Sequence, residues 1–153
     1  MFLPNPLNVA DQGADETTFV HASQLTWDLL PSEKGATGLG AMPKGLLRAL
    51  LLGDPDRPGL CIFRMKYPAN FRVPPHYHWM AEHTTVLDGE VYVGMGDAFD
   101  EAKMTRYGAG DFFTVGVGVA HYVLTKDSSP TFELHVMGPW QMTFADPADH
   151  PHT

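Results

Sequence analysis

The amino-acid sequence predicts an all-β domain, a sandwich or barrel of many short strands. Three observations carry this. Fifteen Gly and thirteen Pro among 153 residues are spread along the whole chain, so turns recur at short intervals. Between them lie short runs rich in Val, Ile, Phe, Tyr and Thr, the residues that suit a pleated sheet. No segment sustains an apolar stripe at the helical period beyond a turn or two near residues 42–50.

Taken in order, residues 1–17 are polar and broken by Pro4, Pro6 and Gly13, which suits an N-terminal arm. Residues 19–27 are expected to hold a short strand. Residues 31–45 contain Pro31, Pro43 and four Gly, a loop composition. Residues 46–52 read two ways: Leu and Ala favour a helix, whereas confinement between Gly45 and Gly53 favours a buried strand. The string GDPDRPG at 53–59 is dense turn chemistry. A strand follows at 60–67, stopped by Pro68. Residues 84–87 and 91–95 flank Asp88-Gly89-Glu90, and Asp-Gly predicts a hairpin there. Further strands are expected at 111–115, 122–124 and 131–137. Residues 146–153, with two Pro and two His, read as a C-terminal tail. The organisation is thus an arm (1–17), one domain (18–145) and a tail (146–153).

A mass of 16.8 kDa fits one domain with one core. Ten basic against eighteen acidic residues leave a net charge of −8 with neutral His. Such a surface repels phosphate backbones and anionic lipid, which excludes nucleic acid and membrane as partners. The single Cys61 cannot form an internal disulfide. The start MFLPNPLNVADQ lacks the basic and apolar regions of a signal peptide, and no apolar run nears the ~20 residues of a membrane helix. A cytoplasmic protein is expected.

The chemistry concentrates in the histidines. His76 and His78 are two apart, so on an extended strand both imidazoles point to one face. Glu82 returns to that face if the chain bends at residues 79–81. Pro74-Pro75 fixes the backbone just before the first imidazole. Two imidazoles and a carboxylate suit one divalent transition metal per chain, with Fe, Mn, Ni and Zn all open. A second string, GDFFTVGVGVAH at 110–121, ends a predicted strand in a Gly116-Val117-Gly118 turn and starts the next at His121. It brings a fourth donor from another strand. His83 competes with Glu82, but neighbouring strand residues face opposite ways, so only one enters.

His76-x-His78-x3-Glu82-x6-Gly89 resembles the first motif of the cupin superfamily. Gly110-x5-Gly116-x-Gly118-x2-His121 resembles the second, with Gly116 where the family usually has Pro and Thr125 where it often has Asn. The flanking strings GDPDRPG and MGPWQMTF look like those of small single-domain bacterial cupins, including anti-sigma-factor-like and uncharacterised ones. The resemblance implies a double-stranded β-helix, or jelly-roll, barrel, commonly a homodimer, with a divalent metal held by His76, His78, Glu82 and His121. The x6 spacing to Gly89 selects Glu82 over His83.

Around the metal, Tyr92, Phe113 and Tyr122 are candidates for a substrate pocket, and Trp79, Met80 and Trp140 for its apolar mouth. If Glu133, His135 and Met137 face inward, His135 becomes a catalytic general base. An outward His135 belongs to the sheet surface or a dimer interface instead. His150 and His152 repeat the His-x-His spacing in the tail and are assigned no site. The leading reading is a metal-dependent enzyme, such as a dioxygenase, taking a small-molecule ligand, a dicarbonyl or aromatic compound. The alternative is a small-molecule or metal-sensing module without turnover. A sugar-phosphate isomerase would need a basic cluster, which Arg64, Lys66, Arg72 and Arg106 do not form in sequence.

Overall fold

The structure is a computed structural model and describes residues 17–30 and 44–149. Within these, eleven strands in two antiparallel sheets account for nearly all regular structure. They are β1 (Asp28–Leu30), β2 (Leu46–Leu52), β3 (Gly59–Lys66), β4 (Arg72–Tyr77), β5 (Glu82–Asp88), β6 (Glu90–Met95), β7 (Thr105–Gly108), β8 (Phe112–Val115), β9 (His121–Leu124), β10 (Thr131–Gly138) and β11 (Thr143–Phe144). One sheet runs β1-β2-β3-β10-β5-β8 and the other β11-β4-β9-β6-β7. This is the jelly-roll arrangement. The predicted arm and the 31–45 loop lie almost wholly outside the described residues, as do the last four positions of the tail.

Period-two alternation builds the core. In β3, Cys61, Phe63 and Met65 point inward, and in β10 Phe132, Leu134 and Val136 do so. From the facing sheet, Val73, Val91 and Val93 close against them. Fully burying a side chain of this size contributes about 1.5–3 kcal/mol, so these strands hold their faces firmly. Residues 46–52 settle as strand β2. Its flanks β1 and β3 supply hydrogen-bond partners on both edges, and that pairing outweighs the helix preference of Leu and Ala.

Two expectations give way. Residues 19–27 form no strand; a single 3-10 turn spans Ala22–Gln24, Phe19 is 86% exposed, and the strand begins only at Asp28. Asp88-Gly89 is not a hairpin. β5 has β10 and β8 on its two edges, β6 has β9 and β7, and the two strands belong to different sheets. The dipeptide instead turns a corner between sheets. Gly89 has φ +72°, and a Cβ there would stand 2.8 Å from Pro130 Cα. Only Gly allows the corner to pass so close to the chain entering β10.

β4 was visible in sequence only as an extended approach to His76. It carries Pro74 and Pro75, which have no N–H to give to β9. The β4–β9 register accordingly shifts between Val73 and His76 before closing on the pair His76↔His121.

Candidate metal centre

Both sheets contribute to one buried cluster. β4 delivers His76, the residues just after it deliver His78, β9 starts with His121, and β5 starts with Glu82 from the opposite sheet. The four are 2%, 2%, 3% and 6% exposed, respectively. The three imidazoles each offer a ring nitrogen within 4.8 Å of the others. Glu82 Oε1 lies 3.3 Å from His78 Nε2 and Oε2 lies 3.7 Å from His121 Nε2. Two donors each about 2.1 Å from one ion lie roughly 3.0 Å apart at a right angle and about 4.2 Å apart when opposite. The two carboxylate–imidazole separations fit neighbouring donors of a single ion.

The backbone decides how the rings present themselves. His76 Nδ1 bonds the Pro74 carbonyl at 2.7 Å, His78 Nδ1 that of Gln141 at 2.5 Å, and His121 Nδ1 that of Val119 at 3.1 Å. A carbonyl only accepts, so each Nδ1 carries the proton and donates, which leaves a lone pair on each Nε2. Burial pushes the His76 pKa well below its ordinary value, the His121 and His78 rings push the same way, and the Pro74 carbonyl opposes them. His121 is lowered too, by burial first; Glu82 opposes this and His78 adds to it. Both rings are therefore neutral and able to donate near pH 7.

Outer contacts hold the frame. Trp140 Nε1 donates to Glu82 Oε1 at 2.6 Å, and its ring stacks on His78 at 5.7 Å between centroids and 14° between planes. The Gly118 N–H donates to the His78 carbonyl at 2.8 Å, which ties the second motif's turn to the first. Gly116 has no left-handed φ, and a Cβ there would make only ordinary contact with Val119. Thr125 is buried; its Oγ1 donates to the Pro68 carbonyl at 2.6 Å and accepts the Phe71 N–H at 2.9 Å, lacing the turn that leads into β4.

A cavity of roughly 30 Å³ opens on the cluster, lined chiefly by apolar groups. Of the predicted pocket residues, Phe113 lines it, and so does Trp140. Tyr92 and Tyr122 do not. Tyr92 lies outward beneath the Lys126 ammonium, 4.6 Å from its ring centroid. Tyr122 is fully buried, but on the far side of its sheet, where its ring meets Phe99 and its hydroxyl donates to the Asp100 carbonyl at 3.0 Å. Met80 is part of the core and Trp79 is 64% exposed.

His135 also falls outside the site. β10 turns Phe132, Leu134 and Val136 inward, so Glu133, His135 and Met137 face out, and His135 Nε2 pairs with Glu133 at 2.9 Å on the surface. Burial raises the Glu133 carboxyl, but the His135 and Arg64 contacts overcome it and hold the group below its ordinary value. His83 likewise faces out, toward the Thr114 hydroxyl at 3.0 Å. Sequence reasoning missed Tyr67, Thr84 and Met142, all of which line the cavity. Alternation from Met65 and from Glu82 would have placed the first two. Burial, then the Glu82 charge, raises the Tyr67 phenol pKa, so it stays protonated.

A family model described as Cupin matches residues 56–139. No curated protein matches the sequence. Among solved structures, the polyketide cyclase RemF from Streptomyces resistomycificus is similar with TM-score 0.63 at 18% identity, over 88% of this chain and 91% of that one. An RmlC-like cupin from Shewanella frigidimarina has TM-score 0.56 at 18% identity over 80% and 93%. KdgF from a Halomonas species has TM-score 0.55 at 18% identity over 80% and 95%. At such identities the likeness is one of fold. Among the described residues, no helix is long and apolar enough to cross a membrane.

Proposed function

The chain belongs to the cupin family, and from that premise we propose that it is a metal-dependent enzyme, of dioxygenase type, acting on a small dicarbonyl or aromatic compound. One observation carries the reading. Three buried imidazoles have their Nδ1 protons fixed by backbone carbonyls, and their Nε2 lone pairs converge beside a buried carboxylate. Desolvated lone pairs gathered in this way are costly unless a cation satisfies them. His76, His78, Glu82 and His121 would hold one divalent transition metal. Such an ion would supply Lewis-acid polarisation of a carbonyl or oxygen activation.

The remaining work falls to the chain. Met65, Val91, Phe113, Val123, Leu134 and Met142 exclude bulk water around the cluster, which strengthens every polar contact made within it. The roughly 30 Å³ of room is far below the ~150 Å³ of a cavity that takes a benzene ring. It admits only the two-oxygen end of a small molecule, dicarbonyl or aromatic, with the rest of the ligand outside. The same small volume favours a second reading, a metal-sensing module without turnover. A cytoplasmic homodimer remains part of the proposal.

The experiment is elemental analysis of protein purified without an affinity tag, followed by anaerobic Fe(II) loading and O2 uptake with a panel of dicarbonyls. About one iron per chain with substrate-dependent O2 uptake supports the enzyme. Tightly held metal with no uptake supports the sensor. No metal even after loading refutes both.

A further inference from the structure

The outer face of the six-stranded sheet carries a second pair of imidazoles. His83 on β5 and His135 on β10 lie directly opposite one another in the β5–β10 register. Both are exposed and face away from the core, since β5 turns Glu82, Thr84 and Val86 inward and β10 turns Phe132, Leu134 and Val136 inward. Residues directly opposite in an antiparallel pair have Cβ atoms about 4.5–5.5 Å apart on one face. Rings rooted at that spacing can turn onto one ion, whose neighbouring donors stand roughly 3.0 Å apart.

Partners already decide which nitrogen each ring has to offer. Thr114 Oγ1 donates to the Glu82 carbonyl at 2.9 Å, so toward His83 it accepts, and His83 Nδ1, 3.0 Å away, carries the proton. Nε2 of His83 keeps the lone pair. On His135 the order is reversed. A carboxylate accepts, so Nε2–H donates to Glu133 Oε1 at 2.9 Å and Nδ1 keeps the lone pair. Glu133 is steadied in turn by Arg64, whose Nε donates to Oε2 at 3.0 Å. Neither lone-pair nitrogen is bonded to a described residue. An imidazole that donates to an oxygen through one nitrogen and leaves the other free is in the form that binds metal.

We propose that His83 and His135 form a second metal site, open to solvent, which takes Cu(II) through His83 Nε2 and His135 Nδ1 with water in the remaining positions. Two neutral imidazoles suit copper, nickel and zinc, and of these Cu(II) binds a given nitrogen site most tightly. Thr114 and Glu133 are the outer partners that hold the rings. The site is independent of the buried cluster, because His83 faces out where Glu82 faces the core, on the other side of the same sheet. Two protein donors grip an ion less firmly than four, so gel filtration should empty the outer site and leave the inner one filled.

The test titrates Cu(II) into the full apo chain while the heat of binding and the copper EPR spectrum are followed. The parent should take a first, tight equivalent and a second, weaker one. His83→Ala and His135→Ala should each abolish the second and keep the first, with the melting temperature of the parent. Thr114→Val should weaken the second about tenfold, the usual loss when an outer partner of a metal ligand is removed. His76→Ala should weaken the first and spare the second, and Ni(II) and Zn(II) should bind the outer pair less tightly than Cu(II). A second equivalent that survives His83→Ala or His135→Ala, or that disappears with His152→Ala in the tail, overturns the proposal. So does a parent that takes up one equivalent only, sensitive to His76→Ala. Zn(II) held more tightly than Cu(II) by the outer pair overturns the choice of metal. A chain that lacks the tight equivalent and keeps the one at His83 and His135 refutes the buried-cluster reading and supports this one.

Discussion

Replacing Trp140 with Phe isolates the hydrogen bond that aims Glu82. Phe keeps a ring against His78 and against Phe63, whose centroid is 4.9 Å from that of Trp140. It removes the N–H that meets Glu82 Oε1 at 2.6 Å in a buried setting. A hydrogen bond to a charged group contributes about 1.5–3 kcal/mol, and losing an outer partner of a metal ligand typically costs ~10–100-fold in metal affinity. The two scales agree, since about 1.4 kcal/mol is tenfold. Trp140→Phe should therefore bind metal roughly 10–100-fold more weakly. For a chain of this size, a loss near 2 kcal/mol lowers the apo melting temperature by about 4–8 °C. Competition against a chromogenic chelator reads the affinity and calorimetry reads the melting. Trp79→Phe, on an exposed ring, should change neither. Parent-like metal affinity in Trp140→Phe would refute the idea that the indole orients the carboxylate.

Other outcomes follow from the same geometry. His76 and His121 have lowered pKa values when folded, so below about pH 6.5 the unfolded chain takes up protons that the folded chain does not. Apo stability should then fall as pH drops from 6.5 toward the folded values, in denaturant titrations at several pH values, and His76→Phe should flatten that slope. A Cβ at Gly94 would sit 2.1 Å from the Tyr122 ring, so Gly94→Ala should cost about 1–3 kcal/mol or more in thermal unfolding. His135→Ala, on the outer face of β10, should leave metal content and ligand binding as they are; a loss of either would place His135 in the site after all. Burial pushes the Cys61 thiol up to about 12, so native protein should resist iodoacetamide that labels the unfolded chain quickly.

The parts legible in sequence were those set by local periodicity. His76-x-His78 read as one face, and both rings are buried in one cluster; alternation said only that one of Glu82 and His83 enters, and the x6 spacing of the family resemblance chose Glu82, with His83 outward. The failures came where neighbours decide. Asp88-Gly89 has the residues of a hairpin, yet both edges of β5 and of β6 are taken by strands far off in sequence. Tyr122 is buried although its face points away from the core, since residues 96–104 fold over it; a period of two cannot reveal a face covered by a loop. The face of His135 was readable in principle, from apolar Phe132, Leu134 and Val136 alternating with it. Tyr67 and Thr84 were passed over because a hydroxyl inside a barrel carries no motif of its own.

The passage of the chain from one sheet to the other bears on the order of assembly. The three imidazoles belong to one sheet and its loops, and Glu82 to the other. No early hairpin can gather all four, and most contacts in the molecule are between residues distant along the chain, a topology that folds slowly. An ion would find its full set of donors only after the two sheets have docked. It should leave the folding rate nearly untouched and act on the escape from the native state, slowing unfolding in proportion to its hold. The metal would be a latch fastened after closure, with no part in guiding the sheets together.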